Sequence, residues 1–401
     1  MNYKISEPVP RSLCTDCGLS RSKNPERCGR ACQFISPDYS ALELSVHGRQ
    51  IQPERGDTRF FGPYHRMYKA WAHKPFHNAQ WSGLTTLIAE NLLDDGSVDA
   101  VLTVVSDEND RWRPVPALIT TAGDMTRARG MKMGYAPLLA LLEPARSNGI
   151  KRVAVIGIPC QVYALRAIES ELSFDRLYVI GTPCSDNTTT DNFHKFLAKL
   201  TDRPNLVNYF EFRADYQVEI RFDDGQQKLI PFLKLPLSDL PSDFFPLTCR
   251  TCVDYTNRLA DITVGYMAGD GEQWLIIRND QGAELLERIR HQINLKPVES
   301  RGRRKNAVKG FIENTARAAG GLPLRRMPDW IRPLMAWLQP KIGPRGLEFA
   351  RARVEMKAAE TILHLRRVHP KRLKYMVPNY IWKLVAPYAI LPNKETEIQN
   401  K

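Results

Sequence analysis

The sequence predicts an α/β fold: a mixed sheet core with helices on both sides, a small N-terminal metal knot, an antiparallel β insertion and a helical, basic C-terminal region. Three observations lead there. Two nearly identical stretches, Val153–Cys160 (VAVIGIPC) and Leu177–Cys184 (LYVIGTPC), are short apolar runs that stop at Gly-x-Pro-Cys. Apolar runs of this length, bounded by Gly and Pro, read as buried parallel strands. Between Val207 and Leu237 the period changes, with Val218, Ile220 and Phe222 alternating with Glu219, Arg221 and Asp223 before Asp224-Gly225. That is a half-buried antiparallel hairpin with a tight turn. Finally, Arg301–Lys401 hold 22 Lys/Arg against 7 Asp/Glu, whereas the first 300 residues hold 35 against 37. The net charge of +13 therefore resides in the last quarter.

The chain of 401 residues is 43% hydrophobic and 25% charged, ordinary for a globular protein with two or three compact parts. Its start, MNYKISEPVPRSL, has no apolar run of the secretory kind, and no stretch approaches the roughly 18 to 20 apolar residues that span a bilayer. A soluble, cytoplasmic protein is expected. Its eight cysteines then read as metal ligands or redox groups rather than disulfides. The expected division is 1–75, an N-terminal cysteine segment; 76–205, an α/β core; 206–300, the hairpin with a second cysteine segment; and 301–401, the basic helical region.

Cys14-Thr-Asp-Cys17 and Cys28-Gly-Arg-Ala-Cys32 place four thiols in a segment too poor in apolar residues to fold alone. Zinc and a [4Fe–4S] cluster both accept such a set. Phe60, Phe61, Tyr64 and Trp71 are expected on the core. Gln80-Trp-Ser-Gly-Leu-Thr-Thr86 then opens a helix at Leu87. There Ser82, Thr85 and Thr86 either cap the helix or meet a phosphate at its N-terminus. Ala100–Ser106 and Val115–Thr121 are strands. Arg127, Arg129 and Lys132 surround Gly130 before a helix over Pro137–Ser147. This turn is either solvated or clasps a pyrophosphate.

In the two Gly-x-Pro-Cys units each thiol sits where a strand hands over to a helix (Gln161–Leu172 and Asn192–Leu200). That crevice is where α/β proteins bind ligands. Ser185–Thr190 is dense in capping and anion-binding side chains. Cys249-Arg-Thr-Cys252 and Asp254-Tyr-Thr-Asn257 follow. With Cys160 and Cys184, the pair Cys249 and Cys252 completes a second group of four. Two ligands from strand ends and one pair from a loop suit an iron–sulfur cluster better than a zinc ribbon. Trp274–Arg278 is a strand. Past a basic linker at Arg301–Lys305, the helix Arg345–Val368 carries Leu347, Ala350, Val354, Ala358, Thr361, Ile362 and Leu365 on one face. It is expected to show Arg351, Arg353, Lys357, Arg366 and Arg367 outward.

The Gly-x-Pro-Cys-Gln step, the Cys-x-x-Cys-x-Asp-Tyr-x-Asn segment and the N-terminal cysteine knot resemble the β-subunit family of deazaflavin-coenzyme hydrogenases and dehydrogenases. Within it, the sequence is most similar to the ferredoxin-dependent 8-vinyl reductases of (bacterio)chlorophyll synthesis and to the 7-hydroxymethyl chlorophyll a reductases. The likeness runs from Cys14 to about Pro387 and includes Gly265-Tyr-Met, Gln273–Asn279 and Ile342–Glu348. It departs from the vinyl reductases at Pro159, where they often carry glycine. The resemblance implies FAD and two [4Fe–4S] clusters. It makes the N-terminal knot an iron–sulfur knot of Cys14, Cys17, Cys28 and Cys32, and Cys160, Cys184, Cys249 and Cys252 the second ligand set. Gln80, Ser82, Gly83, Thr85, Thr86, Arg129, Gly130 and Asn187 match the stretches that hold flavin, which makes 76–205 the flavin-binding core.

The resemblance also implies an oxidoreductase that takes electrons from ferredoxin to reduce the 8-vinyl group of divinyl (proto)chlorophyllide, a tetrapyrrole. Asp186, Tyr255 and Asp254, beside cluster cysteines, are the candidate proton donors. The basic C-terminal region would attract an acidic ferredoxin and offers a peripheral membrane contact. The alternatives are a 7-hydroxymethyl chlorophyll reductase, a deazaflavin-dependent β subunit, or a zinc-stapled nucleic-acid-binding protein. The last is disfavoured because the basic region carries no nucleic-acid motif, so no nucleic-acid partner is expected.

Overall fold

The computed structural model describes residues 14–35, 37–49, 56–213, 215–266, 272–318, 320 and 327–392. The chain start read for a leader and Met267 of the Gly265-Tyr-Met motif lie outside the described residues. The strands are β1 (Arg66–Ala72), β2 (Ala100–Ser106), β3 (Pro114–Ile119), β4 (Arg152–Gly157), β5 (Arg176–Gly181), β6 (Val207–Phe212), β7 (Gln217–Phe222), β8 (Gln227–Pro231), β9 (Ile262–Tyr266), β10 (Gln273–Ile277) and β11 (Ile293–Pro297). Two compact units are assembled from segments far apart in sequence. The first comprises Met1–Cys184, Asp254–Gly265 and Gly271–Pro297, and the second Ser185–Val253, Tyr266–Asp270 and Val298–Lys401.

The first unit is built on an eight-stranded mixed sheet of order β11-β1-β10-β9-β5-β4-β2-β3. Its centre is parallel: β2 pairs with β4, β4 with β5 and β5 with β9. Both faces of this centre are covered. Val101, Val105, Ala154, Tyr178 and Ile180 form one core with Leu84, Ile88 and Leu92 of the helix Leu84–Asp94 and Leu285 and Ile289 of the helix Asp280–Ile289. Their neighbours along the strands, Val153, Val155, Leu177 and Val179, are buried too and point to the opposite face. At one edge β1 pairs antiparallel with both β10 and β11. Phe61 is fully buried edge-on against Trp274, centroids 4.9 Å apart, and Phe60 is buried; Tyr64 and Trp71 are half-buried.

Two helices are shorter than their periodicity suggests. Over Pro137–Ser147 only Leu142–Ser147 is α-helical, after a 3-10 turn at Leu138–Leu141. The Leu139 amide is spent on the Cys17 carbonyl (2.9 Å), so this turn packs on the cysteine knot instead of extending a helix. The helix after β4 is Pro159–Ala167, with a separate turn at Glu169–Glu171. Pro159 occupies its first turn, where its fixed φ suits a helix and its missing N–H costs nothing.

In the second unit β6, β7 and β8 form an antiparallel meander with β7 central, the predicted hairpin plus one strand. The helix Thr190–Leu200 is capped by Thr189, whose hydroxyl accepts from Asn192 N (3.1 Å). It lays Phe193 and Phe196 against Phe210. Of the basic stretch expected as a linker, Arg301 pairs opposite Arg345 in a two-residue strand, and Arg304 and Lys305 already begin the helix Arg304–Arg317; another helix covers Arg332–Ile342.

The long helix runs Leu347–Val368, within two residues of expectation, with its predicted apolar face buried. Its charge pattern differs from expectation. Lys357 is 5% exposed and points inward, Arg353 donates to Ser185, and Arg351 pairs with Glu348. The helix is clasped on several sides, so the i, i+4 count of cations overstates its wet face.

Glu211 in β6 is buried, and burial pushes its carboxyl up to about 7, although the Tyr209 hydroxyl donates to it. Because the folded state holds this proton more tightly than the unfolded chain does, the group's stabilisation is complete below about pH 4.5. It is lost as pH rises through about 7. Urea midpoints should therefore fall between pH 5 and pH 8, and Glu211→Gln should flatten that dependence. An unchanged slope in the variant would contradict the assignment.

Candidate functional site

The parallel register of β4 and β5 matches Gly157 with Gly181, so Cys160 and Cys184 each follow a paired glycine by three residues. Cys160 lies in the first turn of the helix Pro159–Ala167. Thr190–Leu200, by contrast, begins six residues after Cys184.

The turn Asp254–Asn257 closes these strand ends. The Asn257 side-chain amide donates to Gly157 O (2.7 Å) and Thr182 O (3.2 Å), and Cys184 N donates to Tyr255 O (3.0 Å). A Cβ on Gly181 would fall 2.7 Å from the Asn257 side chain, which explains the glycine in the second repeat. Behind the turn, the fully buried Arg278 guanidinium donates to Phe61 O (2.7 Å), Thr256 O (2.8 Å) and Thr263 Oγ1 (2.9 Å). Burial pulls Arg278 down to about 9, partly offset by Asp254. Sequence reading gives Asn257 and Arg278 no role, because their partners are distant in the chain.

Cys14, Cys17, Cys28 and Cys32 gather in the first unit, close enough to act on one another electrostatically. Burial pushes the Cys17 thiol up to about 12, and Cys28, Cys32 and Cys14 add to the rise; burial raises Cys32 as well. Such a set stays protonated unless a cation draws off its protons. Among the described residues, no three Cys, His, Asp or Glu side chains converge in a geometry that would hold one metal ion.

In the second unit, Cys249 lies in the helical turn Leu247–Arg250, and Cys252 N donates to Cys249 O (3.2 Å). The long helix grips both backbone carbonyls. Lys357 Nζ donates to Cys249 O and to Asp186 Oδ1 (2.5 Å), and Thr361 Oγ1 donates to Cys252 O (3.1 Å). Burial alone would lower the Lys357 ammonium, but Asp186, Glu360 and Cys252 outweigh it and hold it above the usual range. No local motif announces this clamp; the sequence separation of 108 between Lys357 and Cys249 hides it.

Two of the stretches matched to flavin-holding loops meet in the first unit. Arg129 stacks on Phe76 (4.4 Å to the centroid) and pairs with Glu90 (2.9 Å). Gly130 has φ +78°, and a Cβ there would press on Asn78 O at 3.1 Å. Asn78 and Trp81, beside Gln80, also carry positive φ, a concentration of uncommon backbone typical of ligand-holding loops. Ser82 turns inward and donates to Gln273 Oε1 (3.2 Å), which also accepts from Leu84 N (2.8 Å). Thr85 is partly exposed and Thr86 buried; Gly83 at the N-cap has no side chain of its own, and Gln273 takes the first amide of the helix in its place. The helix start lies near Arg129, and the two together fit an anionic cofactor group. Lys132 is turned from the turn's solvated side, donating to Ala128 O (2.7 Å) and Arg129 O (2.6 Å), and burial lowers it to about 8. Asn187, in the second unit, accepts from Thr188 N (2.8 Å).

The candidate acids divide. Asp254 is buried with its carboxyl raised by burial, and it accepts from Thr256 N and Arg258 N (both 3.0 Å), which makes it the anchor of its turn. Tyr255 is buried beside Cys184. Asp186 lies in the second unit as the partner of Lys357.

Residues 67–143 match the profile for the N-terminal region of the coenzyme F420 hydrogenase/dehydrogenase β subunit, and residues 150–301 match the profile for its C terminus. The chain is 35% identical to an uncharacterized protein of Nostoc sp., over 95% of this chain and 94% of that one. It is also 35% identical to the chloroplastic 7-hydroxymethyl chlorophyll a reductase of rice, over 94% and 82% of the two chains. One component of the F420H2 dehydrogenase of Methanosarcina mazei is 29% identical over 74% of this chain and 87% of its own. In fold, a chain of the F420-reducing [NiFe] hydrogenase complex of Methanosarcina barkeri superposes with a TM-score of 0.53. It covers 59% of this chain and 84% of that one at 22% identity.

Proposed function

This chain belongs to the coenzyme F420 hydrogenase/dehydrogenase β-subunit family, and within it we propose an iron–sulfur flavoprotein that takes electrons from ferredoxin to reduce the 8-vinyl group of divinyl (proto)chlorophyllide in (bacterio)chlorophyll biosynthesis. The observation that carries the substrate class is the match over 94% of the chain to a chlorophyll reductase. The step is R–CH=CH2 + 2 e⁻ + 2 H⁺ → R–CH2–CH3. Bound FAD and two [4Fe–4S] clusters would supply the conversion of single electrons into the pair this step needs.

The chain's residues supply the rest. Cys14, Cys17, Cys28 and Cys32 hold one cluster, and Cys160, Cys184, Cys249 and Cys252 the other. Arg129, Gly130, Thr85 and Thr86, with Gln80, Ser82, Gly83 and Asn187, hold the flavin. Lys357 and Thr361 keep the Cys249–Cys252 turn in shape. Asp254 and Asp186 already serve the turn and the lysine, so Tyr255 is the acid assigned to proton delivery. The cationic C-terminal region attracts the acidic donor protein, so its docking weakens as salt rises.

The rice relative's name favours a second reading, reduction of a 7-hydroxymethyl group to methyl with release of water. This step also consumes two electrons and two protons. Incubating the anaerobic holoprotein with reduced ferredoxin and, separately, divinyl chlorophyllide and 7-hydroxymethyl chlorophyll a decides between them. Conversion of the vinyl to an ethyl group is expected. Turnover of the hydroxymethyl pigment alone would replace the first reading with the second.

A further inference from the structure

We propose that the outer face of the helix Arg332–Ile342, together with Trp330 just before it, is a docking surface for an anionic lipid bilayer. Trp330 is 79% exposed, Leu334 56%, Trp337 60% and Ile342 54%. Within the helix, Leu334, Trp337 and Lys341 recur at spacings of three and four and so lie along one face, and Trp330 lies two residues before the helix begins. The opposite side is already committed. Ala336 is buried with Leu233, and Met335 packs on the same small cluster with Phe232 and Leu237. The helix is therefore anchored by its inner side, and with Trp330 before it two indoles and aliphatic side chains face water.

Large exposed apolar side chains gathered on one face mark a contact surface, and indoles favour the boundary between water and acyl chains. Cations frame this face. Lys341 Nζ sits 3.3 Å from the centroid of the Trp337 ring and is exposed, as is Arg345 beyond the helix. The neighbouring carboxylate of Asp329 is paired with Arg332 (3.4 Å). Arg301–Lys401 carry 22 basic against 7 acidic residues, which complements a negatively charged surface.

An eleven-residue helix is about 16 Å long, enough to lie in an interface and too short to cross one. Among the described residues, no helix is long and apolar enough to span a membrane. Indoles beside a lysine on a short helix suit the lipid–water boundary, where the rings sit at headgroup level and the ammonium meets anionic headgroups. The inference rests on this surface alone and is independent of the reductase reading.

The test is vesicle flotation of the full-length holoprotein at low and high salt. Phosphatidylcholine vesicles are compared with vesicles that also contain phosphatidylglycerol. The native protein should float with the anionic vesicles, with its tryptophan emission shifted to the blue. The double variant W330S/W337S should bind at least tenfold more weakly while keeping its unfolding midpoint, since both side chains are exposed. Lys341→Glu should weaken binding and reduce its salt dependence. Failure of the native protein to float overturns the proposal, as does equal flotation of the double variant. A native dimer that the double variant converts to monomer would assign the face to a second copy of the chain instead. Loss of ferredoxin binding in the double variant, without vesicle binding by the native protein, would assign it to the electron donor.

Discussion

Replacing Asp261 by alanine is expected to destabilise the first unit by about 3–5 kcal/mol, the range for breaking a buried ion pair from one side. Asp261 is fully buried, and its carboxylate accepts from the Arg166 guanidinium, the Asn279 amide and the Val179 backbone, all at 2.7 Å. The Arg166 side chain is 2% exposed and, among the described residues, would keep Glu169, itself 38% exposed, as its charge partner. The loss strikes where the site is assembled, because Arg166 belongs to the helix that carries Cys160, and Val179 to β5, which leads to Cys184. Asp261→Asn keeps the size but turns an amide N–H₂ toward donors, so it should fall between the native protein and the alanine variant. Urea unfolding measures this directly. A cost below about 1 kcal/mol for Asp261→Ala would mean that the pair does not hold the strand ends.

Lys357→Met is expected to be comparably severe, again about 3–5 kcal/mol. Methionine fills similar space but leaves Asp186 facing buried Glu360, whose carboxyl burial and Asp186 already raise. It also releases the Cys249 carbonyl. Of the two side chains by which the long helix grips the Cys249–Cys252 turn, Thr361 would remain, so iron content should drop together with stability. The combination Lys357→Met with Asp186→Asn removes the uncompensated charge and should recover at least half of the lost stability without restoring the iron. If the double variant is no more stable than the single one, the lysine is not there to balance Asp186.

Local signals give away much of this architecture. The repeated Gly-x-Pro-Cys runs are legible as β4 and β5 because a buried parallel strand needs only a short β-branched run and a stop. The alternation at Val218–Phe222 is legible as β7 for the same kind of reason. Illegible parts depend on partners distant in sequence. β1 reads as a mixed polar segment, and it is a strand because Arg66 pairs opposite Ile277 and Ala72 opposite Ile293, more than two hundred residues on.

The same holds for the site. The grouping of the N-terminal thiols follows from their spacing, whereas the grip of Lys357 on Cys249 and of Arg278 on the Phe61 carbonyl exists only once the chain has folded. Lys357 reads as an outward cation because helical periodicity shows which residues share a face and not what covers it. Arg301–Lys305 reads as a linker because Gly302 and its cations mask a helix that starts only two residues later.

The most direct test of the central claim is an anaerobic visible spectrum of the purified chain, with iron and flavin assays on the same sample. A protein holding two [4Fe–4S] clusters and a flavin should carry about eight irons and one flavin per chain, with the broad absorption of clusters beneath the flavin bands. A colourless protein containing zinc, or a coloured one with only about four irons, would contradict the two-cluster flavoprotein and the electron route drawn through it.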